Sequence, residues 1–131
     1  MNRRSQIVCA LCGPAFAVIF TTGWWFIAGF VPPHEPDLGA TAIAEFYQQN
    51  TLTIRFGILM AMVSSALVIP FGAVIAVQIR RIEGDGAPIL STVELMAATV
   101  TSVILLVTTV LRTAAAFRPE RAPEVILAYN D

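Results

Sequence analysis

Three stretches of this chain run uncharged for longer than a soluble helix of ordinary length requires. Phe56–Ile79 is 24 residues long and lies between Arg55 and the pair Arg80-Arg81. Ile7–Val31 is 25 residues long and Leu95–Leu111 is 17. A helix rises about 1.5 Å per residue, and a bilayer core about 30 Å thick takes about 20 apolar residues to cross. Backbone in hydrocarbon must pair its amides within its own segment, which makes each stretch a helix. The expected fold is all-α: an integral membrane bundle of three transmembrane helices at about 7–31, 55–79 and 92–117, with a short interfacial helix at about 37–49 in the first loop. At 131 residues this is one transmembrane domain.

Composition agrees. Charged residues make up 13% of the chain and hydrophobic ones 56%, with a mean hydropathy of +0.74; a soluble domain carries about 25% charged residues. All eight basic residues are arginine, which with the abundant Ala and Val suggests a GC-rich genome. The net charge of −1 argues against a nucleic-acid partner. Arg3 and Arg4 precede the first stretch as in a secretory signal, but its length and the lack of an A-x-A site favour an uncleaved anchor helix.

The joins differ in kind. Glu83-Gly84-Asp85-Gly86-Ala87-Pro88 is a short polar turn that makes the second and third spans antiparallel neighbours. The first loop opens with Val31-Pro32-Pro33-His34-Glu35-Pro36, after which Asp37 is placed to cap the interfacial helix. Leu38, Ile43, Phe46 and Tyr47 give that helix an apolar face, expected to lie along the membrane surface. Ser91 with Glu94 three residues on has the form of a capping box opening the third helix. Pro119 stops that helix. The tail, 118–131, turns apolar at Val125; it reads as an interfacial segment or the start of a missing fourth helix.

Arginine favours the cytoplasmic side. Arg3, Arg4, Arg80 and Arg81 fall on one side, and Arg55, Arg112, Arg118 and Arg121 on the other. The first helix often dominates orientation, so a cytoplasmic N-terminus in a cell inner membrane is expected, with Trp24 and Trp25 near the outer interface.

Helices solvated by lipid associate through close packing of small residues. Gly13, Ala17 and Thr21 recur every four residues in the first span, as do Gly57, Ala61 and Ser65 in the second. These stripes are expected to face each other or another subunit. Pro14 and Pro70 each remove a backbone donor and free a carbonyl, at Ala10 and Ala66. Ser64, Ser65 or water is expected to serve the second of these.

Few side chains offer chemistry. Cys9 and Cys12 form a CxxC that shares a helix face, conceivable as a redox pair; without a second cysteine pair, two small apolar side chains are the simpler reading. His34 with Glu35 and Asp37 has the donor types for a weak divalent site, but prolines intervene and a solvated loop is favoured. Arg55 and Arg112 fall on the same side as Glu35, Asp37 and Glu45. They read as a clamp on the first loop or as snorkelling cations, ahead of an anion-binding recess. Glu94 is a proton-relay candidate only if the capping box fails. No cofactor and no metal are expected.

Ala44-Glu45-Phe46-Tyr47, Ile79-Arg80-Arg81-Ile82-Glu83-Gly84 after the second helix and Phe117-Arg118-Pro119 after the third give a layout that resembles small multi-pass membrane proteins of GC-rich bacteria with no assigned activity. The resemblance implies more helices than this chain carries and transfers no functional residue. Three helices this apolar enclose little polar space. The first expectation is therefore an accessory or structural subunit, partnered by the lipid bilayer and other membrane chains. A transporter or channel subunit completed by homo-oligomerisation is the alternative, and a membrane thiol oxidoreductase the third.

Overall fold

The computed structural model describes residues 3–31, 39–117 and 122–130. These residues are helical almost throughout, with no strand among them. Helix α1 covers Arg3–Thr21 and passes through Pro14 into a π-helical segment, Thr22–Ile27. Helix α2 is Ala40–Gln49, α3 is Thr51–Ser65, α4 is Val68–Glu83, α5 is Ile89–Phe117 and α6 is Pro123–Asn130. Arg3–Ile27, Thr51–Glu83 and Ile89–Phe117 are long and apolar enough to cross a membrane.

The bounds shift from those expected for physical reasons. The first span starts at Arg3 and its helix ends at Ile27, short of Val31. Gly29 takes φ +70, a conformation only glycine adopts freely, and turns the chain out of the helix. The second span is two helices rather than one. Pro70 has no N–H to give the Ala66 carbonyl, and the chain tightens there: the Leu67 N–H donates to Ser64 O at 2.9 Å. The expected acceptor arrangement is corrected. The Ser64 and Ser65 hydroxyls bond back to the carbonyls of Ala61 and Met62, at 2.9 and 2.7 Å. Beside the break, the buried Ser102 hydroxyl of the third span donates to the neighbouring carbonyl, Ser65 O, at 2.9 Å.

The spans alternate in direction, and close contacts fix their register. A Cβ built on Gly13 would meet the Phe71 ring, and one on Gly23 would lie 2.6 Å from the Gly57 carbonyl oxygen. Gly57 has the same relation to the Gly23 carbonyl, so two backbones touch where neither tolerates a side chain. Gly72 meets Ala98 across α4 and α5, and Arg55 reaches the last carbonyls of α5. Span one thus runs against span two, and span two against span three.

The two short helices close one end. Asn50 separates α2 from α3, its side-chain amide and backbone N–H both donating to Phe46 O. Ile43, Ala44 and Tyr47 of α2 are buried. They join Ala28, Phe30, Ile54, Ile58, Ala115, Ala116 and, from α6, Ile126 in one core cluster. Of the apolar face expected to lie on a membrane surface, Ile43 and Tyr47 are turned onto the protein and Phe46 is half-buried, while Leu38 lies outside the described residues. Helix α6 folds back on α2 and α5 with Ile126 fully buried.

Candidate functional site

The polar groups that enter the apolar zone collect at three places, each held by opposed helices. The first is an arginine–aromatic junction beneath α2. The Arg112 guanidinium lies 5.0 Å from the Trp24 ring centroid and 4.8 Å from that of Phe30. The π-helical segment carries Trp24, and the turn at Gly29 returns Phe30 beside it, the two rings 4.9 Å apart. Tyr47 lies 6.1 Å from Phe30 and has no exposed surface. Burial pushes its hydroxyl above the usual phenol range, while the charge of Arg112 and a hydrogen bond from it pull the other way. Burial prevails, so the phenol is neutral at neutral pH.

Arg55 occupies the same end. Its Nε donates to Ala116 O at 3.0 Å and its Nη2 to Phe117 O at 3.2 Å, with the guanidinium 4.6 Å from the Phe117 centroid. A cation on the last carbonyls of a helix satisfies acceptors that lack intrahelical partners and complements the dipole. Arg55 therefore holds the end of α5. Glu45 is exposed. His34 and Glu35 lie outside the described residues, as does Asp37.

The second place is the opposite end, where the expected capping box is corrected. Helix α5 already begins at Ile89, so Ser91 is inside it. Ser91 donates its hydroxyl at 2.6 Å, and Leu90 its backbone N–H at 2.6 Å, to the carboxylate of Glu83. The last residue of α4 therefore caps α5 across the turn. Gly84 takes φ +62 in that turn, and the Arg80 guanidinium donates to Gly86 O at 2.8 Å.

That leaves Glu94 as the third. It is half-buried against α4, near Gly72 and one turn from Ala98, and carries no hydrogen bond or ion pair among the described residues. Glu94 and Arg112 are the two ionisable residues of α5. Their separation of 18 positions is about 27 Å of helix, close to the thickness of a hydrocarbon core. That spacing suits groups at its two edges.

The packing candidates divide. Gly57, Ala61 and Ser65 are all buried within the chain, Gly57 against Gly23 and Ala28. Gly13 is half-buried under Phe71, whereas Ala17 and Thr21 are exposed. The Gly57 end of the second stripe thus packs on the π-helical segment and Ala28, while Gly13 of the first packs under Phe71. Cys9 and Cys12 are free and half-buried, with the Cys12 thiol donating to Val8 O at 3.3 Å. Among the described residues no three His, Cys, Asp or Glu side chains gather as a metal site would require.

Reading the sequence alone missed Gly23, Glu83, Phe30 and Ser102. A glycine beside two tryptophans was a signal for the first. The others act across turns or between spans, where residue spacing carries no information. No protein-family model, curated protein or solved structure matches the chain.

Proposed function

We propose that this membrane protein is an accessory or structural subunit of a larger assembly, and that it docks through the outward small-residue face of its first helix. The close approach of the three spans to one another carries the reading. Gly23 against Gly57 and Gly72 against Ala98 bring backbones together where a passage or substrate chamber would need space. Cavities of about 410, 300 and 340 Å³ lie between neighbouring helices and open outward. Ala17 and Thr21 offer a second chain the close approach that small residues permit. A cytoplasmic N-terminus in an inner membrane fits this reading, with Arg3, Arg4, Arg80 and Arg81 on the inner side.

The test is purification from native membranes in mild detergent, with mass spectrometry of the chains that accompany the protein. Ala17→Leu is expected to insert and melt as the parent does while losing its companion. A companion retained at the parental level would overturn the proposal.

Glu94 favours a second reading, a transport subunit completed by homo-oligomerisation. A carboxyl group at the edge of hydrocarbon without a described partner is the kind of group that ion and proton pathways use. That reading requires a defined homo-oligomer and loss of flux in Glu94→Gln; a monodisperse monomer in detergent removes it.

A further inference from the structure

We infer that the groove between α3 and α5 is a binding site for one anionic phospholipid, its phosphate on Arg55 and one acyl chain along the groove. The groove has a volume of about 410 Å³ and is lined by Leu52, Arg55, Phe56, Leu59, Met62, Thr113 and Phe117. Its walls are apolar except at the Arg55 end and at Thr113, whose hydroxyl is already given to Thr109 O. Leu52, Phe56, Leu59 and Phe117 are exposed to whatever fills it.

Charge selects the occupant. Arg55 is half-buried, and its described partners are two neutral carbonyls and a ring. Among the described residues no carboxylate pairs with it and its Nη1 gives no hydrogen bond. An arginine near the hydrocarbon edge calls for a counter-charge. Depth selects the same occupant. Arg55 bonds to carbonyls four and five residues beyond Arg112, about 6–8 Å further along α5 at the end of the apolar span, which is the level a headgroup would take. From there the groove descends past Phe56, Leu59 and Met62 into the acyl region. A cation at the mouth and a hydrocarbon-lined channel below it match a phosphate with its chain attached. A neutral helix from another protein would leave the cation unanswered.

The experiment purifies the full chain in the presence of phosphatidylglycerol and phosphatidylcholine with identical acyl chains and counts retained lipid by native mass spectrometry. Both lipids carry a phosphate but phosphatidylglycerol alone has a net negative charge, and the parent is expected to favour it about fivefold, as one arginine near an anionic headgroup provides. Arg55→Gln should reduce the ratio to near one. Leu59→Trp, which obstructs the groove and leaves the carbonyl bonds of Arg55 alone, should lower phosphatidylglycerol retention by a similar factor. It decides the matter by itself if Arg55→Gln fails to fold. Equal retention of both lipids by the parent, or a preference undiminished in Leu59→Trp, overturns the inference. So does displacement of the lipid by inorganic phosphate, which would mean a headgroup-only site. A disulfide-linked dimer formed by Leu59→Cys would place a second copy in the groove and equally overturn it.

Discussion

At the scale of single residues, the molecule depends on places where the absence or presence of one group decides whether two helices can meet. Gly23 and Gly57 are the clearest. A methyl on either would press into the carbonyl oxygen of the other, and backbone cannot move aside as a flexible side chain can. Gly23→Ala is expected to cost about 1–3 kcal/mol, the range for overpacking, read as an earlier thermal unfolding transition in detergent. Ala17→Leu, on the exposed face, should leave that transition in place, which separates intrachain packing from docking. Arg112 makes a different kind of contact. Its guanidinium is stacked by Trp24 and Phe30 and bonded to Tyr47, so a lysine at this position keeps the charge and loses the planar fit. Arg112→Lys is expected to lose about 1–2 kcal/mol and to change the emission of Trp24 in a Trp25→Phe background. An unchanged spectrum would mean that the guanidinium does not rest on that ring.

At the scale of elements, the first two spans each depart from a uniform α-helix once, and the departures set the contacts. The first widens into a π turn at Thr22–Ile27 and the second tightens at Ala66–Leu67. Pro70 made the second legible in the sequence, because a missing donor has only one consequence for the carbonyl four residues earlier. The first was not legible, since no residue type compels a π turn, and the stripe Gly13–Ala17–Thr21 continues at α spacing up to its start. The contact beside the Pro70 break was also hidden, for Ser102 is one of several hydroxyls along α5 and only the folded register places it against Ser65 O. A double-mutant cycle tests that pairing. Ser102→Ala should cost about 0.6–2 kcal/mol in the parent and clearly less in Pro70→Ala, where the restored N–H closes on the Ala66 carbonyl and the straightened helix draws Ser65 O away from the third span. Equal costs in both backgrounds would show that the hydroxyl and the break are independent. The Glu83 cap escaped the sequence because a plausible cap, Ser91 with Glu94, lay closer to hand. Glu83→Gln should speed hydrogen exchange at the Leu90 and Ser91 amides, which the carboxylate now holds, and leave mid-helix exchange unchanged.

At the scale of the whole molecule, the long uncharged stretches made the helical class and the count of spans readable before any contact was known. What they did not contain was the end of the bundle, where α2 and α6 cover an arginine–aromatic junction assembled from residues far apart in the chain. The core cluster lies there, while the outward faces of the spans keep residues such as Val100, Val103 and Val107 exposed. That distribution suits a protein whose middle is solvated by lipid and whose one closed end is packed like a soluble domain. It also gives the three-span architecture a direct geometrical consequence: the turn containing Asp85 and the end of α2 at Gln48 must lie on opposite sides of a bilayer. Single cysteines at these two positions, in a Cys9→Ser, Cys12→Ser background, can be challenged in intact cells with a membrane-impermeant maleimide. The account predicts that one of the two reacts before lysis and the other only after it; equal reaction of both before lysis would contradict it.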